Sequence, residues 1–328
     1  MGLKPKVVVA RMTPGIEESP LFAECDVFAW REDRLMPKEL LAEQVGDAEG
    51  LVTSAFDVVN EAVLAQAPRL RVVSQFAVGL DNLDVKALTA RGVPVGYTPF
   101  AVTEATADMA LALMLSLSRR IVPSAQFVRA KLWRDWSPTL MIANDVFGKT
   151  LGIVGMGRIG QAIARRARGF NMTLLYHARN RRSEAEQALG VQYRSYDQIL
   201  AESDILIFIL PLSPETRYMV NDAAFAKMKK SAMVINVARG PIVDPKALYR
   251  ALSSGRIAAA ALDVTDPEPV APDDPLLTLE NLLITPHVAT STWETRREMT
   301  RVTVTNLLNG LAGKPMLHCA NPEAQRAR

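Results

Sequence analysis

The sequence predicts an α/β protein made of two doubly wound parallel-sheet domains. Short apolar runs alternate with helix-like stretches through the first hundred residues. That alternation breaks at one long apolar helical stretch, then resumes from Thr150 with a glycine-rich turn after its first strand. Such alternation is the pattern of parallel strands joined by crossover helices. A chain of 328 residues, 49% of them hydrophobic, can fill two cores.

In chain order, residues 7–10, 27–30, 51–53, 72–75 and 93–97 read as strands, with helices over 37–45 and 60–67. Residues 103–119 read as one helix, rich in Ala, Leu and Met and apolar on most faces, hence buried. Residues 121–149 carry Trp133, Trp136, Pro138 and Phe147 and read as an irregular arm. Exposed tryptophans there would suit a subunit contact; a loop folded onto its own chain is the alternative. Strands follow at 151–154, 173–176, 205–210, 233–237, 258–262 and 282–284, and residues 292–311 form a closing amphipathic helix.

A net charge of +3 with 22% charged residues gives no electrostatic reason to expect nucleic acid or a membrane as partner. No apolar run reaches bilayer length, and Val7-Val8-Val9 is too short for a secretion signal. Cys25 and Cys319 lack metal-ligand spacing, so no metal site is expected. A reducing, cytoplasmic setting fits this cysteine usage.

Gly155-Met156-Gly157-Arg158-Ile159-Gly160 stands between the strand at 151–154 and a helical pattern from Ala162. In that context the first glycine permits the tight turn, the second the close approach of a pyrophosphate, and the third helix-on-strand packing. The helix N-terminus adds unpaired N–H groups and a partial positive charge. A dinucleotide is therefore the expected cofactor. In NAD-binding units an acid follows the second strand and takes the ribose 2′-hydroxyl. Here the strand is followed by His177-Ala178-Arg179-Asn180-Arg181-Arg182, with no carboxylate before Glu184. NADP(H) is thus the expected preference, with Arg179 and Arg182 on the 2′-phosphate and NAD(H) as a second cofactor. A solvated basic loop is the alternative.

Three segments just past strands carry the candidate chemistry: Val237-Ala238-Arg239-Gly240, Asp263 through Glu268-Pro269, and Thr285-Pro286-His287. An imidazole can protonate a forming alkoxide, and a carboxylate such as Glu268 would orient it and favour its charged form. Arg239 can hold a carboxylate bidentately and polarise the carbonyl beside it. The set suits hydride transfer to a small 2-keto acid. Taken singly, each residue also fits a structural role: His287 after a strand, Arg239 in a salt bridge, Glu268 in a turn before Pro269.

These segments, with Val78-Gly79-Leu80-Asp81-Asn82-Leu83-Asp84, resemble the D-isomer-specific 2-hydroxyacid dehydrogenase family over about residues 52–316. Gly96-Tyr97-Thr98-Pro99, Gly155 through Arg165-Arg166, Ile257-Ala258-Ala259-Ala260-Ala261-Leu262-Asp263-Val264-Thr265 and Pro275-Leu276-Leu277-Thr278-Leu279 are most similar to its glyoxylate/hydroxypyruvate and 2-ketogluconate reductases. The resemblance implies catalytic roles for Arg239, Glu268 and His287, and a substrate carboxylate held by Arg239, His287 and the amides of Val78 and Gly79. It implies a cofactor site of Gly155, Gly157, Arg158, Ile159, Gly160, Pro211, Val237, Asp263 and Ala289, with Asp263 meeting the nicotinamide carboxamide. It further implies a Rossmann cofactor domain, residues 101–290, inserted into a flavodoxin-like substrate domain, residues 1–100 and 291–328, and a homodimer. The alternatives on this fold are a short phosphoglycerate dehydrogenase and a non-catalytic nucleotide-sensing corepressor. Formate dehydrogenases of this kind pair the histidine with Gln, where this chain has Glu268.

Overall fold

Alternate residues of the central strands enter opposite apolar clusters, which is why the chain builds sheets covered on both faces. Val7 and Val9 lie in one cluster and Val8 in another. Ile205 and Ile207 likewise part from Leu206 and Phe208. Successive strand side chains point to opposite faces, so a continuous apolar run marks a strand with no solvent face.

The computed structural model describes residues 4–326. One compact unit gathers the chain up to Val102 with the segment from Thr290 onward; the other is Thr103–Ala289. Residues 1–3 and 327–328 lie outside the described residues.

In the first unit β1 (Lys6–Val9), β2 (Asp26–Ala29), β3 (Gly50–Ser54), β4 (Val72–Phe76) and β5 (Val95–Gly96) form a five-stranded sheet in the order β2-β1-β3-β4-β5. All pairings are parallel, the flavodoxin-like arrangement. The helix Trp293–Leu311 starts at Thr292, whose side chain accepts from the Thr295 N–H. It lays Val304, Leu307 and Leu311 against Val7, Val9, Val52 and Val72, so the end of the chain completes the core that its beginning opened.

In the second unit β6 (Thr150–Val154), β7 (Thr173–His177), β8 (Gln192–Tyr193), β9 (Ile205–Phe208), β10 (Met233–Asn236), β11 (Ala259–Leu262) and β12 (Leu282–Ile284) form a seven-stranded sheet. The order is β12-β11-β10-β9-β6-β7-β8, parallel throughout. Winding reverses between β6 and β9, the Rossmann switch point. The helix Thr103–Ser118 buries Ala107, Ala110, Leu111 and Met114 in the same cluster as Ala162 and Ile163 of the helix Arg158–Ala167. Arg165 and Arg166 pair with Glu104 and Asp108 along the rim of that contact.

The arm at 121–149 is less irregular than its sequence suggests. Residues Ile121–Arg129 form a helix, entered through Arg120 in the left-handed region at φ 50°. Pro123 argues against a helix only in an interior turn; in the first turn its missing N–H costs no bond. Beyond that helix Trp133 and Trp136 are 58% and 75% exposed, while the end of the arm packs on its own unit, with Val146 in the core and the Asn144 N–H donating to the Ser118 carbonyl at 2.9 Å. No helix among the described residues is long and apolar enough to cross a membrane.

Candidate active site

Register brings the candidate residues to one edge of the seven-stranded sheet. Val154 pairs with Phe208, Phe208 with Asn236, Asn236 with Leu262, and Leu262 with Ile284. These strands therefore end level. The glycine turn, Pro211, Val237 to Arg239, Asp263 and His287 all follow at their carboxyl ends, where open α/β sheets bind ligands.

The three glycines of the turn meet different surroundings. Gly155 has φ +112°, and a Cβ there would lie 2.1 Å from the Ile209 carbonyl oxygen. A Cβ on Gly160 would lie 2.0 Å from the Gly155 carbonyl oxygen. Both positions require glycine. A Cβ on Gly157 would meet nothing within 4 Å, so open space lies against the backbone just where the helix begins. The first bond back into the turn runs from Gln161 N–H to the Gly157 carbonyl at 3.0 Å. The amides of Arg158, Ile159 and Gly160 precede it, as at any helix start. This opening fits a pyrophosphate.

Past β7 the basic loop is braced from within. Arg181 pairs with Glu186 through two 2.8 Å contacts, and the Tyr176 hydroxyl donates to the same carboxylate at 2.6 Å. These two donors hold the Glu186 carboxyl down at about 2. The Arg182 N–H donates to the Tyr176 oxygen at 2.7 Å. Arg179 and Arg182 are exposed and form no ion pair within 4 Å among the described residues. The basic cluster thus divides into one arginine committed to structure and two facing solvent, the latter being the pair expected from the sequence to meet a 2′-phosphate. Glu186, reaching back from the next helix, makes that division, and no sequence motif announces it.

Arg239 leaves β10 on a turn held by Asn236. The Asn236 side chain accepts from the Ala238 N–H at 3.0 Å and donates to the Arg239 carbonyl at 2.8 Å. A Cβ on Gly240 would lie 1.8 Å from the Thr265 carbonyl oxygen, so only glycine lets this turn rest on the loop that leads to Glu268.

His287 Nδ1 lies 2.6 Å from Glu268 Oε1. A carboxylate only accepts, so the proton of this contact sits on Nδ1. His287 sits in the left-handed region at φ 53°, costly for a non-glycine residue unless its surroundings over-determine it. Asp263 supplies the constraint. Its carbonyl accepts the His287 N–H at 2.8 Å, and its carboxylate accepts from Thr285 Oγ1, Val288 N–H and Ala289 N–H at 2.6, 2.9 and 2.8 Å. Asp263 is buried, and its place as a clamp on the His287 loop was not legible in its sequence position. Val237 and Ala289 are buried at the same edge. Val78 and Gly79 lie in the other unit, on the loop after β4.

A Rossmann sheet whose glycine turn has room for a pyrophosphate, and whose opposite strands deliver a carboxylate-backed imidazole to the same edge, defines an NAD(P)-dependent oxidoreductase. The chain belongs to the D-isomer-specific 2-hydroxyacid dehydrogenase family, whose NAD binding domain matches residues 111–289. Over 99% of its length it is 43% identical to a glyoxylate reductase of Pyrococcus furiosus, of which 98% is covered. A crystal structure of a Thermus thermophilus protein superposes with a TM-score of 0.91 at 40% identity, covering 96% of this chain and 99% of that one. An NADPH-dependent glyoxylate/hydroxypyruvate reductase of Sinorhizobium meliloti, solved with NADP and malonate, superposes with a TM-score of 0.84 at 31% identity, covering 98% of each chain. The substrates of the family are small 2-hydroxy and 2-keto acids.

Proposed function

We propose that this chain is an NADPH-preferring reductase of glyoxylate and hydroxypyruvate, with 2-ketogluconate as a further substrate, giving the D-2-hydroxy acid. The observation that carries the reading is the 2.6 Å contact between His287 Nδ1 and Glu268, on a loop clamped by Asp263. Bound along the glycine turn, the nicotinamide dinucleotide supplies the hydride. Arg239 holds the keto acid's carboxylate and polarises its carbonyl, as guanidinium geometry allows. The amides of Val78 and Gly79 hold the same carboxylate. His287 gives its Nε2 proton to the carbonyl oxygen, and Glu268 steadies the imidazolium before that transfer. Val237 and Ala289 line the nicotinamide, and Pro211 and Asp263 complete the cofactor site.

NADPH preference is supported by the absence of an acid directly after β7 and by the exposure of Arg179 and Arg182. The names of the Pyrococcus and Sinorhizobium relatives support the choice of substrate. A homodimer formed through the arm is supported by the exposure of Trp133 and Trp136. One assay tests the central reading: NADPH and NADH, each against glyoxylate, hydroxypyruvate and 2-ketogluconate. Oxidation of NADPH with at least one of these acids is expected. A protein that binds the dinucleotide but turns over none of them would instead be a nucleotide sensor.

A further inference from the structure

Beneath the loop that carries Val78 and Gly79 lies a buried chain of side-chain amides. Register pairs Thr53 of β3 with Gln75 of β4. Gln75 is completely buried. Its Nε2 donates to Asn82 Oδ1 at 2.7 Å and to the Gly79 carbonyl at 3.2 Å, while its Oε1 accepts from the Thr53 hydroxyl. Asn82 Nδ2 donates to the carbonyls of Ser54 and Asp57. Asp57 in turn accepts from the Ser54 N–H and hydroxyl, both at 2.7 Å.

The direction of this network is determined. Two backbone carbonyls, which only accept, require the NH2 of Asn82 to face them. Its oxygen then faces Gln75, so Gln75 presents its own NH2 to Asn82 and to Gly79, and its oxygen to Thr53. The consequence falls on the loop. In a trans peptide the C=O and the following N–H point opposite ways. The Gly79 carbonyl is tied to Gln75 and the Ala77 carbonyl accepts the Thr98 N–H at 3.0 Å. The N–H groups of Leu80 and Val78 are thereby turned away from those partners. Among the described residues, the amides of Val78, Gly79 and Leu80 donate to no protein group.

We infer that Gln75 and Asn82 are positioning residues for the substrate carboxylate: they touch no substrate, but anchor the loop at the Gly79 carbonyl, and so hold in place the residue whose amide, beside that of Val78, meets the carboxylate. This rests on the reading above, in which those amides hold the carboxylate. It also accounts for Asn82, whose place in the motif Val78 to Asp84 no catalytic role explains.

The test is Gln75→Met, which keeps the volume and removes both amide functions. It is measured with glyoxylate and with its uncharged ester, methyl glyoxylate, alongside NADPH affinity and thermal unfolding. Loss of aligned hydrogen bonds to a carboxylate is expected to raise KM for glyoxylate roughly tenfold or more. The kcat, the Kd for NADPH and the use of methyl glyoxylate should each change by less than about threefold. A folded variant with unchanged KM for glyoxylate overturns the inference, as does an equal loss with acid and ester in a protein whose wild type prefers the acid. Should the wild type use acid and ester equally well, the underlying carboxylate reading fails instead. If Gln75→Met does not fold, Thr53→Val decides. It removes the hydroxyl that holds the Gln75 oxygen, and a KM for glyoxylate raised by about threefold or more supports the role; an unchanged one overturns it.

Discussion

The hydroxyl of Tyr218 donates to Asp266 Oδ2 at 2.6 Å, while the amide N–H of the same residue donates to the Pro241 carbonyl at 2.7 Å. Tyr218 thus joins the turn after Arg239 to the loop before Glu268. The hydrogen bond to Asp266 raises the phenol pKa, so Tyr218 remains a donor throughout the neutral range. Tyr218→Phe keeps the ring and its stacking on Arg217 but leaves the Asp266 side chain only its 3.9 Å contact with Arg217. The expected result is a kcat lowered roughly tenfold through misplacement of Glu268, with a stability loss of about 1 kcal/mol. Steady-state kinetics with saturating NADPH would settle it, and an undiminished kcat would show that the loop holds itself.

The proposed chemistry separates three variants. His287→Ala removes the proton donor and should cost kcat about two to four orders of magnitude. Glu268→Gln leaves an acceptor that can still orient Nδ1, so a smaller loss in kcat is expected. Arg239→Lys keeps the charge and loses the bidentate fork, so its main effect should be a raised KM for the keto acid. If His287→Ala turns over at near-normal rate, the imidazole is not the acid.

Much of this site could be read from sequence, and the remainder follows a physical division. Strands such as β12, Leu282–Ile284, are apolar runs between turn residues, and the glycine turn has a spacing that packing imposes on the backbone itself. Such signals are local. Strand β8, Gln192–Tyr193, is two residues long and has no period to detect. Asp263, Tyr218, Gln75 and Asn82 act through partners on other strands and loops: Asp266 stands 48 residues from Tyr218, and Ser54 stands 28 from Asn82. A residue whose role is to brace a distant loop has nothing in its own neighbourhood to mark it. The arm misled for a related reason, since Pro123 breaks a helix or begins one according to where the first turn falls.

Cofactor choice should follow the division within the basic loop. Arg179→Ala and Arg182→Ala are each expected to raise KM for NADPH by roughly tenfold, the worth of a charge-assisted contact to phosphate, with little change for NADH. Arg181 is already engaged by Glu186, so Arg181→Ala should move the NADPH:NADH ratio by no more than about twofold. Equal effects at all three positions would mean that bulk positive charge, rather than two placed guanidinium groups, sets the preference.

Acid stability has a specific contributor at the opposite end of the same sheet. Asp204 Oδ2 accepts from the Thr150 N–H at 2.9 Å and Oδ1 from Lys229 Nζ at 2.8 Å. Its backbone joins the same seam: its N–H donates to Thr150 and its carbonyl accepts from Met233. Burial works against ionisation of this carboxyl, but the Lys229 hydrogen bond, the Thr150 N–H and the nearby lysine charges outweigh it, and the pKa falls below 3.8. A group depressed on folding binds its proton more weakly in the native state than in the unfolded chain. Its stabilisation is therefore complete above 3.8 and fades as pH falls through the native value. Asp204→Asn should cost about 1–2 kcal/mol near pH 7, and the gap between the two proteins should narrow in acid as the wild-type carboxyl takes up its proton. Urea unfolding at pH 7 and pH 3 measures that gap directly. A gap that stays constant between the two would assign the loss to packing around the new amide rather than to the charge at Asp204.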